Sequence, residues 1–213
     1  MKRTSDATRS RIFDAARAEF ARFGIAGARV DRIAENAPAN KARIYEYFGD
    51  KESLFALVLE VELERLGSAI PVPEDPRGIP NYVRAVFDYH AVNPDLVRLL
   101  YWEALHFSSQ DAPREEERRT FYAQRAEYLA QAQADGVIPG SLDPRHLHFL
   151  LLSLATSWFG LPQLARMHMD DDPRASQNLV AQREHVVWAV CRILGLEDRG
   201  GPDNATHSDD IDL

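Results

Sequence analysis

Residues 29–51 have the sequence RVDRIAENAPANKARIYEYFGDK, which predicts two short helices joined by a tight turn. Ile33, Ala34 and Ala37 are apolar at i, i+1 and i+4, so they share one buried side of the first helix. Pro38 is expected to end this helix, because a proline disfavours the α conformation in the residue before it.

The second helix is expected to begin after Asn40, whose side chain can accept a hydrogen bond from a free N–H group at the helix start. Ile44 and Phe48 mark the inner face of this helix. The remaining side chains form an outer face of basic, aromatic and polar groups: Lys41, Ala42, Arg43, Tyr45, Glu46 and Tyr47. This pattern predicts a helix-turn-helix whose second helix enters the DNA major groove. An ordinary helical hairpin with a solvated charged face is the alternative.

Lys51 breaks a local rule. With Asp50 as the N-cap of the next helix, Lys51 lies in the first turn, where the helix dipole disfavours a cation by about 0.3–1 kcal/mol. A DNA phosphate beside this helix end would make a cation at this position favourable. The position of Lys51 therefore indicates a functional role. The predicted DNA-binding residues are therefore Asn40, Lys41, Ala42, Arg43, Tyr45, Glu46, Tyr47 and Lys51. Glu46 either accepts a hydrogen bond from the N4 amine of cytosine or pairs with Arg43 within the helix.

The hairpin lies within a longer pattern of an amphipathic helix before it and a long helix after it. The residues that carry this pattern are Phe20, Gly24, Val30, Ile33, Ala34, Lys41, Ile44, Tyr45, Tyr47, Phe48, Lys51, Leu54 and Phe55. On these residues the segment closely resembles the N-terminal DNA-binding domain of the tetracycline-repressor (TetR) family of transcriptional regulators. The resemblance implies a homodimeric repressor that binds a palindromic operator in double-stranded DNA. It also implies that a small molecule binds the C-terminal domain and releases the operator.

Three positions depart from the family pattern. Pro38 replaces the usual turn glycine, and we expect that it cannot take a positive φ and changes the turn geometry. Arg43 lies where a small hydroxyl residue is usual, and Glu46 lies where an aromatic or imidazole group is usual. The departures leave the operator sequence open, whereas the binding mode stays as predicted.

Charge is unevenly distributed along the chain. The formal net charge is −8, but residues 1–51 contain eleven Lys and Arg against seven Asp and Glu, whereas the remainder contains 14 against 26. A basic N-terminal segment on an acidic body favours a localised DNA-binding face, with a solvated charged surface as the alternative.

Cysteine content and hydropathy favour a cytoplasmic protein that does not bind membranes. The single cysteine, Cys191, lies among aliphatic residues, which fits a buried thiol in a reducing compartment. The N-terminus shows no signal-peptide pattern. The most apolar run, residues 149–165, is short and interrupted by polar residues, so we expect a buried helix.

The chain as a whole predicts an all-α protein with two domains. We expect a three-helix helix-turn-helix domain over residues 1–50, a larger helical ligand-binding and dimerisation domain over residues 51–196, and a disordered acidic tail over residues 197–213. A mobile arm is expected over residues 1–8. Besides the hairpin, helices are expected near residues 8–23, 51–66, 81–92, 95–107, 112–135, 144–169 and 173–194.

The helix predicted over residues 144–169 is apolar on nearly all sides, so one face needs a partner. A symmetric four-helix interface between two copies is the simplest account, and it agrees with the family resemblance. The predicted dimer interface consists of Leu147, Leu151, Leu154 and Trp158 with Val186, Val190 and Ile193.

The predicted body is rich in large aromatic residues with polar groups, which line small-molecule pockets but also fill ordinary cores. The predicted pocket residues are Tyr89, Tyr101, Trp102, Phe121, Tyr122 and Trp158, and the expected ligand is apolar or aromatic. The sequence lacks a nucleophile elbow, a phosphate loop and a metal-ligand pattern, so we expect neither an enzyme, a cofactor nor a metal. The alternatives are a helical enzyme with a small-molecule pocket and a ligand-independent DNA-binding activator or architectural protein.

Overall fold

The computed structural model describes residues 2–107, 114–169 and 171–198, in which ten α-helices and one 3₁₀ turn are found. The first four helices are α1 (Lys2–Gly27), α2 (Val30–Asn36), α3 (Lys41–Phe48) and α4 (Lys51–Ala69). After the 3₁₀ turn Pro76–Gly78 come α5 (Ile79–Val92), α6 (Pro94–Phe107), α7 (Glu115–Ala134), α8 (Pro144–Gly160), α9 (Pro162–Met169) and α10 (Ser176–Leu194). These ranges contain no strand, which confirms the all-α prediction.

Helix α1 is longer than predicted at both ends. It begins at Lys2, so the expected mobile arm and the expected start near residue 8 are wrong over the described residues 2–8. No glycine or proline interrupts residues 2–23, so the helix can extend back from its amphipathic segment. The helix was expected to end near residue 23, but Gly24 (φ 68°, ψ −179°) produces only a kink, and the helix resumes up to Gly27. An added Cβ at Gly24 would lie 2.7 Å from the Trp102 ring, so the close approach of α6 requires glycine here.

The turn between α2 and α3 differs from our expectation. Pro38 has a φ of 27°, so the expectation that it excludes a positive φ is wrong. The N–H of Ala37 donates to the Ile33 carbonyl at 2.9 Å, and the N–H of Ala39 donates to the Ala34 carbonyl at 3.0 Å. These two bonds close the end of α2 over the turn. Because the pyrrolidine ring prefers a φ of about −65°, the turn holds Pro38 in a strained conformation.

The helix predicted over residues 144–169 is two helices, α8 and α9, bent by 78°. Pro162 explains this correction, because its ring has no N–H and clashes with the carbonyl four residues earlier. Leu161 leaves the helical conformation (φ −122°, ψ 54°), and its N–H donates to the Ser157 carbonyl. In the described part of the chain no single helix is long and apolar enough to cross a membrane; only the bent pair reaches that length and apolarity together.

The described side chains form two apolar cores. The first joins α1–α4 with Leu96 and Leu99 of α6, and the second joins α5, α7, α8 and α10. Cys191 is buried in the second core, as predicted. Helix α6 therefore packs with the N-terminal helices although α5 lies between them in the chain. The predicted boundaries at residues 50 and 196 stay predictions, and residues 199–213 of the expected tail lie outside the described residues.

Candidate nucleic-acid interface and ligand cavity

Helix α3 presents the predicted outer face to solvent. Its N-terminus is capped by Asn40, whose Oδ1 accepts a hydrogen bond from the Ala42 N–H at 2.8 Å. Ile44 and Phe48 are buried in the first core and fix the rotation of the helix. Tyr47 is half-buried, and the other predicted outer residues are exposed: Lys41, Ala42, Arg43, Tyr45 and Glu46. This arrangement leaves the outer face of α3 accessible to a DNA groove.

Polar side chains on this face contact one another and the neighbouring helix α2. Lys41 Nζ lies 2.8 Å from Asp31 Oδ1, and the hydrogen bond to this carboxylate raises the pKa of Lys41. Arg43 donates to the Tyr47 hydroxyl at 3.1 Å, and its Nε lies 4.0 Å from Glu46 Oε2. Both members of the Arg43–Glu46 pair are more than half exposed, so water screens their attraction and the pair contributes little to stability.

Lys51 has a partner within the fold. Its Nζ donates to the Ala28 carbonyl, just after α1, at 3.3 Å. Asp50 is the N-cap of α4, as predicted, and accepts a hydrogen bond from the Ser53 N–H at 2.7 Å. The position of Lys51 in the first turn of α4 therefore has a structural reason, whether or not it also contacts a phosphate.

A cavity lies in the body between α4, α5, α6, α7 and α8, with about 930 Å³ of empty space including its solvent-open part. Aliphatic side chains form most of its wall. The polar and aromatic groups of the wall are Tyr82, His90, Phe121, Tyr122, Arg125, Tyr128, His148 and Thr156. A mainly apolar wall with a few polar groups is typical of small-molecule sites.

Phe121 and Tyr122 are the two predicted pocket residues that line this cavity, and the other four lie elsewhere. Tyr89 packs against the first core, and Tyr101 packs closely against Gly160. The Trp102 indole donates to the Ala21 carbonyl at 3.2 Å, and the Trp158 indole donates to the Pro173 carbonyl at 3.1 Å. These four side chains connect helices or fix loops rather than surround the empty space.

Two cavity residues that we did not predict bury polar atoms without a hydrogen-bond partner in the described structure. The unpartnered atoms are the two ring nitrogens of His90 and the hydroxyl oxygen of Tyr128. Burial lowers the pKa of His90 to about 4 and raises the pKa of Tyr128 to about 12, so both side chains are neutral near pH 7. A sequence signal existed for His90, because it continues the buried stripe of Val83, Val86 and Phe87 in α5.

Helices α4 and α6 link the cavity to the DNA-binding helices. Leu96 and Leu100 of α6 line the cavity. On the same helix, Arg98 Nε donates to the Ala21 carbonyl at 2.8 Å, and Trp102 donates to the same oxygen. Likewise α4 begins beside α3 and lines the cavity near its other end through Leu63 and Leu66.

Large apolar side chains point outward from α8 and α10. Phe149 is 69% exposed and Trp188 is 61% exposed, with Leu150, Val180 and Ile193 also exposed. We call these five residues the outward apolar surface. Of the predicted interface residues, four are buried in the chain's own core (Leu147, Leu151, Val186 and Val190), Leu154 and Trp158 are half-buried, and Ile193 is exposed. The four core residues are therefore not available to a second copy.

Two family models match the chain: "Bacterial regulatory proteins, tetR family" over residues 12–58 and "Tetracyclin repressor-like, C-terminal domain" over residues 78–192. The chain belongs to the TetR family of DNA-binding transcriptional regulators. It is 46% identical over 192 residues to the HTH-type transcriptional repressor SCO4008 of Streptomyces coelicolor, covering 90% of this chain and 97% of the relative. It is 33% identical over 107 residues to the repressor NicS of Pseudomonas putida, covering 48% and 50% of the two chains.

The crystal structure of the putative transcriptional regulator SCO4942 from Streptomyces coelicolor matches the fold with a TM-score of 0.75 at 36% identity. The match covers 89% of this chain and 99% of that one. These findings confirm the predicted family and the helix-turn-helix fold. Among the described residues no group of His, Cys, Asp and Glu is placed to hold a metal ion.

Proposed function

We propose that the protein is a homodimeric repressor that binds a palindromic operator and releases it when an apolar or aromatic molecule enters the cavity. The observation that carries the proposal is the course of α4 and α6. Each helix lines the cavity at one point and contacts the DNA-binding helices at another. A ligand that shifts either helix therefore changes the position of α3. The site of action is the cytoplasm, where operator DNA is found, and the role is regulatory rather than enzymatic.

For the DNA contacts we retain the eight predicted residues. Positive and hydroxyl groups on the exposed face of α3 match the requirement of phosphate oxygens for donors, and Arg43 and Glu46 are long enough to reach base edges. Two such faces related by a twofold axis require a palindromic operator.

For the dimer we propose that a second copy covers the outward apolar surface. Phe149, Leu150, Val180, Trp188 and Ile193 lie on two helices that pack against each other, so two copies can form a four-helix interface. Trp188→Glu should convert the dimer into a monomer in sedimentation and weaken operator binding. Val92→Glu places the same charge on an exposed apolar residue of α5 and should leave the dimer intact. A wild-type protein that sediments as a monomer at micromolar concentration would contradict the dimer.

The test of the whole proposal is operator binding. DNA from upstream of the protein's own gene should give a symmetric footprint, and fluorescence anisotropy should give one dimer per palindrome or a multiple of it. Tyr45→Ala and Arg43→Ala should weaken binding with an unchanged circular dichroism spectrum, whereas Arg145→Ala, an exposed change in the body, should not.

Three results would contradict the proposal. Absence of sequence-specific binding would exclude a repressor. Operator affinity that no metabolite changes would favour the ligand-independent DNA-binding alternative. Turnover of a compound bound in the cavity would favour the enzyme.

A further inference from the structure

The cavity contains polar groups that the protein itself leaves unpaired. His90 is 1% exposed, and neither of its ring nitrogens has a hydrogen-bond partner among the described residues. The hydroxyl of Tyr128 is equally buried and unpartnered there. Both residues line the cavity, one from α5 and the other from α7. Both residues therefore belong to the wall of one cavity.

Unpaired buried polar atoms destabilise a fold, because they lose hydrogen bonds to water and gain none in return. Phenylalanine at either position would remove that cost. The His90 ring is held by aromatic neighbours, since its centroid lies 6.0 Å from those of Tyr89 and Phe159. The fold thus fixes the imidazole at the cavity without satisfying its nitrogens, which indicates that another molecule satisfies them.

The charge of the wall restricts what that molecule can be. No Asp or Glu belongs to the described wall, and Arg125 is its one permanently charged side chain. The Arg125 guanidinium lies 3.3 Å from the centroid of the Phe121 ring and donates to the Phe121 carbonyl at 2.9 Å, with no ion pair among the described residues. A bound organic cation would meet this arginine without a counter-charge, so the wall disfavours cations.

We propose that the cavity binds an aromatic molecule that is not a cation and that carries a hydroxyl or carbonyl group hydrogen-bonded to His90 and Tyr128. A neutral imidazole offers one donor and one acceptor, and a phenol offers both, so either ligand group can be satisfied. The apolar wall covers the aromatic body of the ligand. The inference deepens the proposed effector site and rests on the proposed function for its regulatory meaning, although binding can be measured without DNA.

The test uses four naphthalene probes of similar shape with the full-length protein: naphthalene, 2-naphthol, 2-naphthoate and 2-naphthylmethylammonium. Binding is followed by calorimetry and by quenching of tryptophan fluorescence. One net hydrogen bond should make 2-naphthol about tenfold tighter than naphthalene, and the ammonium probe should bind most weakly.

Two conservative variants separate hydrogen bonding from shape. Tyr128→Phe and His90→Phe should each reduce the preference for 2-naphthol over naphthalene several-fold while naphthalene affinity stays the same. Tyr128→Phe should also raise the melting temperature of the free protein by about 2–4 °C, because the unpartnered hydroxyl is gone. Tyr101→Phe, which removes a hydroxyl outside the cavity, should leave the preference unchanged.

Equal affinity for 2-naphthol and naphthalene in the wild type would overturn the inference. So would tightest binding of 2-naphthoate that depends on Arg125→Gln but not on His90→Phe or Tyr128→Phe, since the arginine and not these two side chains would then select the ligand. Tightest binding of the ammonium probe would overturn it as well. A 2-naphthol preference without any operator binding would overturn the proposed function alone. Operator release by other compounds, without the naphthol preference, would overturn this inference alone.

Discussion

The DNA-binding face and the cavity use polar residues in opposite ways. On α3 the polar groups are exposed and make contacts at the surface, as Lys41 does with Asp31 of α2 and Arg43 does with Tyr47. In the cavity they are buried, and His90 and Tyr128 have no partner in the described structure. A solvated face can exchange its weak internal pairs for DNA phosphates at little cost. The cavity instead has hydrogen-bonding capacity that the described protein groups do not use.

The largest expected effect is at the junction of the two regions. Gly24→Ala would force a Cβ against the Trp102 ring at a φ that favours glycine, and should lower the free energy of unfolding by about 3 kcal/mol. Gly136 is the matched control, because it also has a positive φ but no atom within 4 Å of an added Cβ. Gly136→Ala should cost about 1–2 kcal/mol. Urea denaturation measures both, and equal losses would show that the contact between α1 and α6 carries no strain.

The free energy of unfolding should depend on pH because of His90 in the cavity wall. Its pKa of about 4 in the folded protein lies below the ordinary value of 6.5, so the unfolded chain binds the proton more readily. The contribution of neutral His90 to the free energy of unfolding is therefore fully present above pH 6.5. The free energy of unfolding decreases by about 3 kcal/mol as the pH falls from 6.5 to 4. His90→Phe should remove this loss, and the difference between the two unfolding curves isolates it from carboxylates and from His148. Curves that stay parallel from pH 7 to pH 4 would show that His90 is hydrated rather than buried.

The contrast between the regions also explains what the sequence could predict. The cap, turn and inner face of α3 depend on residues within one short segment, so Asn40, Ile44 and Phe48 were assigned from spacing alone. The cavity is formed by five helices, and which aromatic residues face it depends on packing between distant segments. Trp102 is an aromatic residue of the kind that lines pockets. The kink at Gly24 instead brings α1 against its ring, and its indole donates to the Ala21 carbonyl.

Other errors were local. The break at Pro162 was visible in the sequence, but the apolar pattern on both sides suggested one continuous helix. The positive φ of Pro38 could not be expected from the preference of proline itself, because the bonds that close α2 impose it. Leu147 and Leu151 were predicted to face a second copy but are buried in the chain's own core, because a helix that is apolar on all sides gives no indication of its rotation.

On the DNA-binding face, Lys51→Ala tests whether one residue serves both fold and DNA. Loss of the bond to the Ala28 carbonyl should lower stability by about 1 kcal/mol. If Lys51 also contacts a phosphate, the slope of log affinity against log salt should fall by about 1.8 for a dimer, equally for all DNA sequences. Arg77→Ala removes an exposed cation before α5 and should leave that slope unchanged. A stability loss with an unchanged slope would restrict Lys51 to a structural role and remove it from the proposed DNA contacts.

The smallest expected effect concerns Glu46 and decides how α3 uses its acidic group. Its carboxylate lies 4.0 Å from Arg43, so in the free protein the pair is weak, and Glu46→Gln should barely change stability. If Glu46 only repels phosphate, Glu46→Gln should raise affinity for every DNA sequence and leave the operator preference as it was. If it accepts a hydrogen bond from cytosine N4, the preference at one symmetric base-pair position per half-site should relax, by about 1–3 kcal/mol. Glu35→Gln removes an exposed charge from α2 and controls for the general gain in affinity. A binding-site selection with the three proteins separates the outcomes, and an identical profile for all three would exclude Glu46 from base recognition.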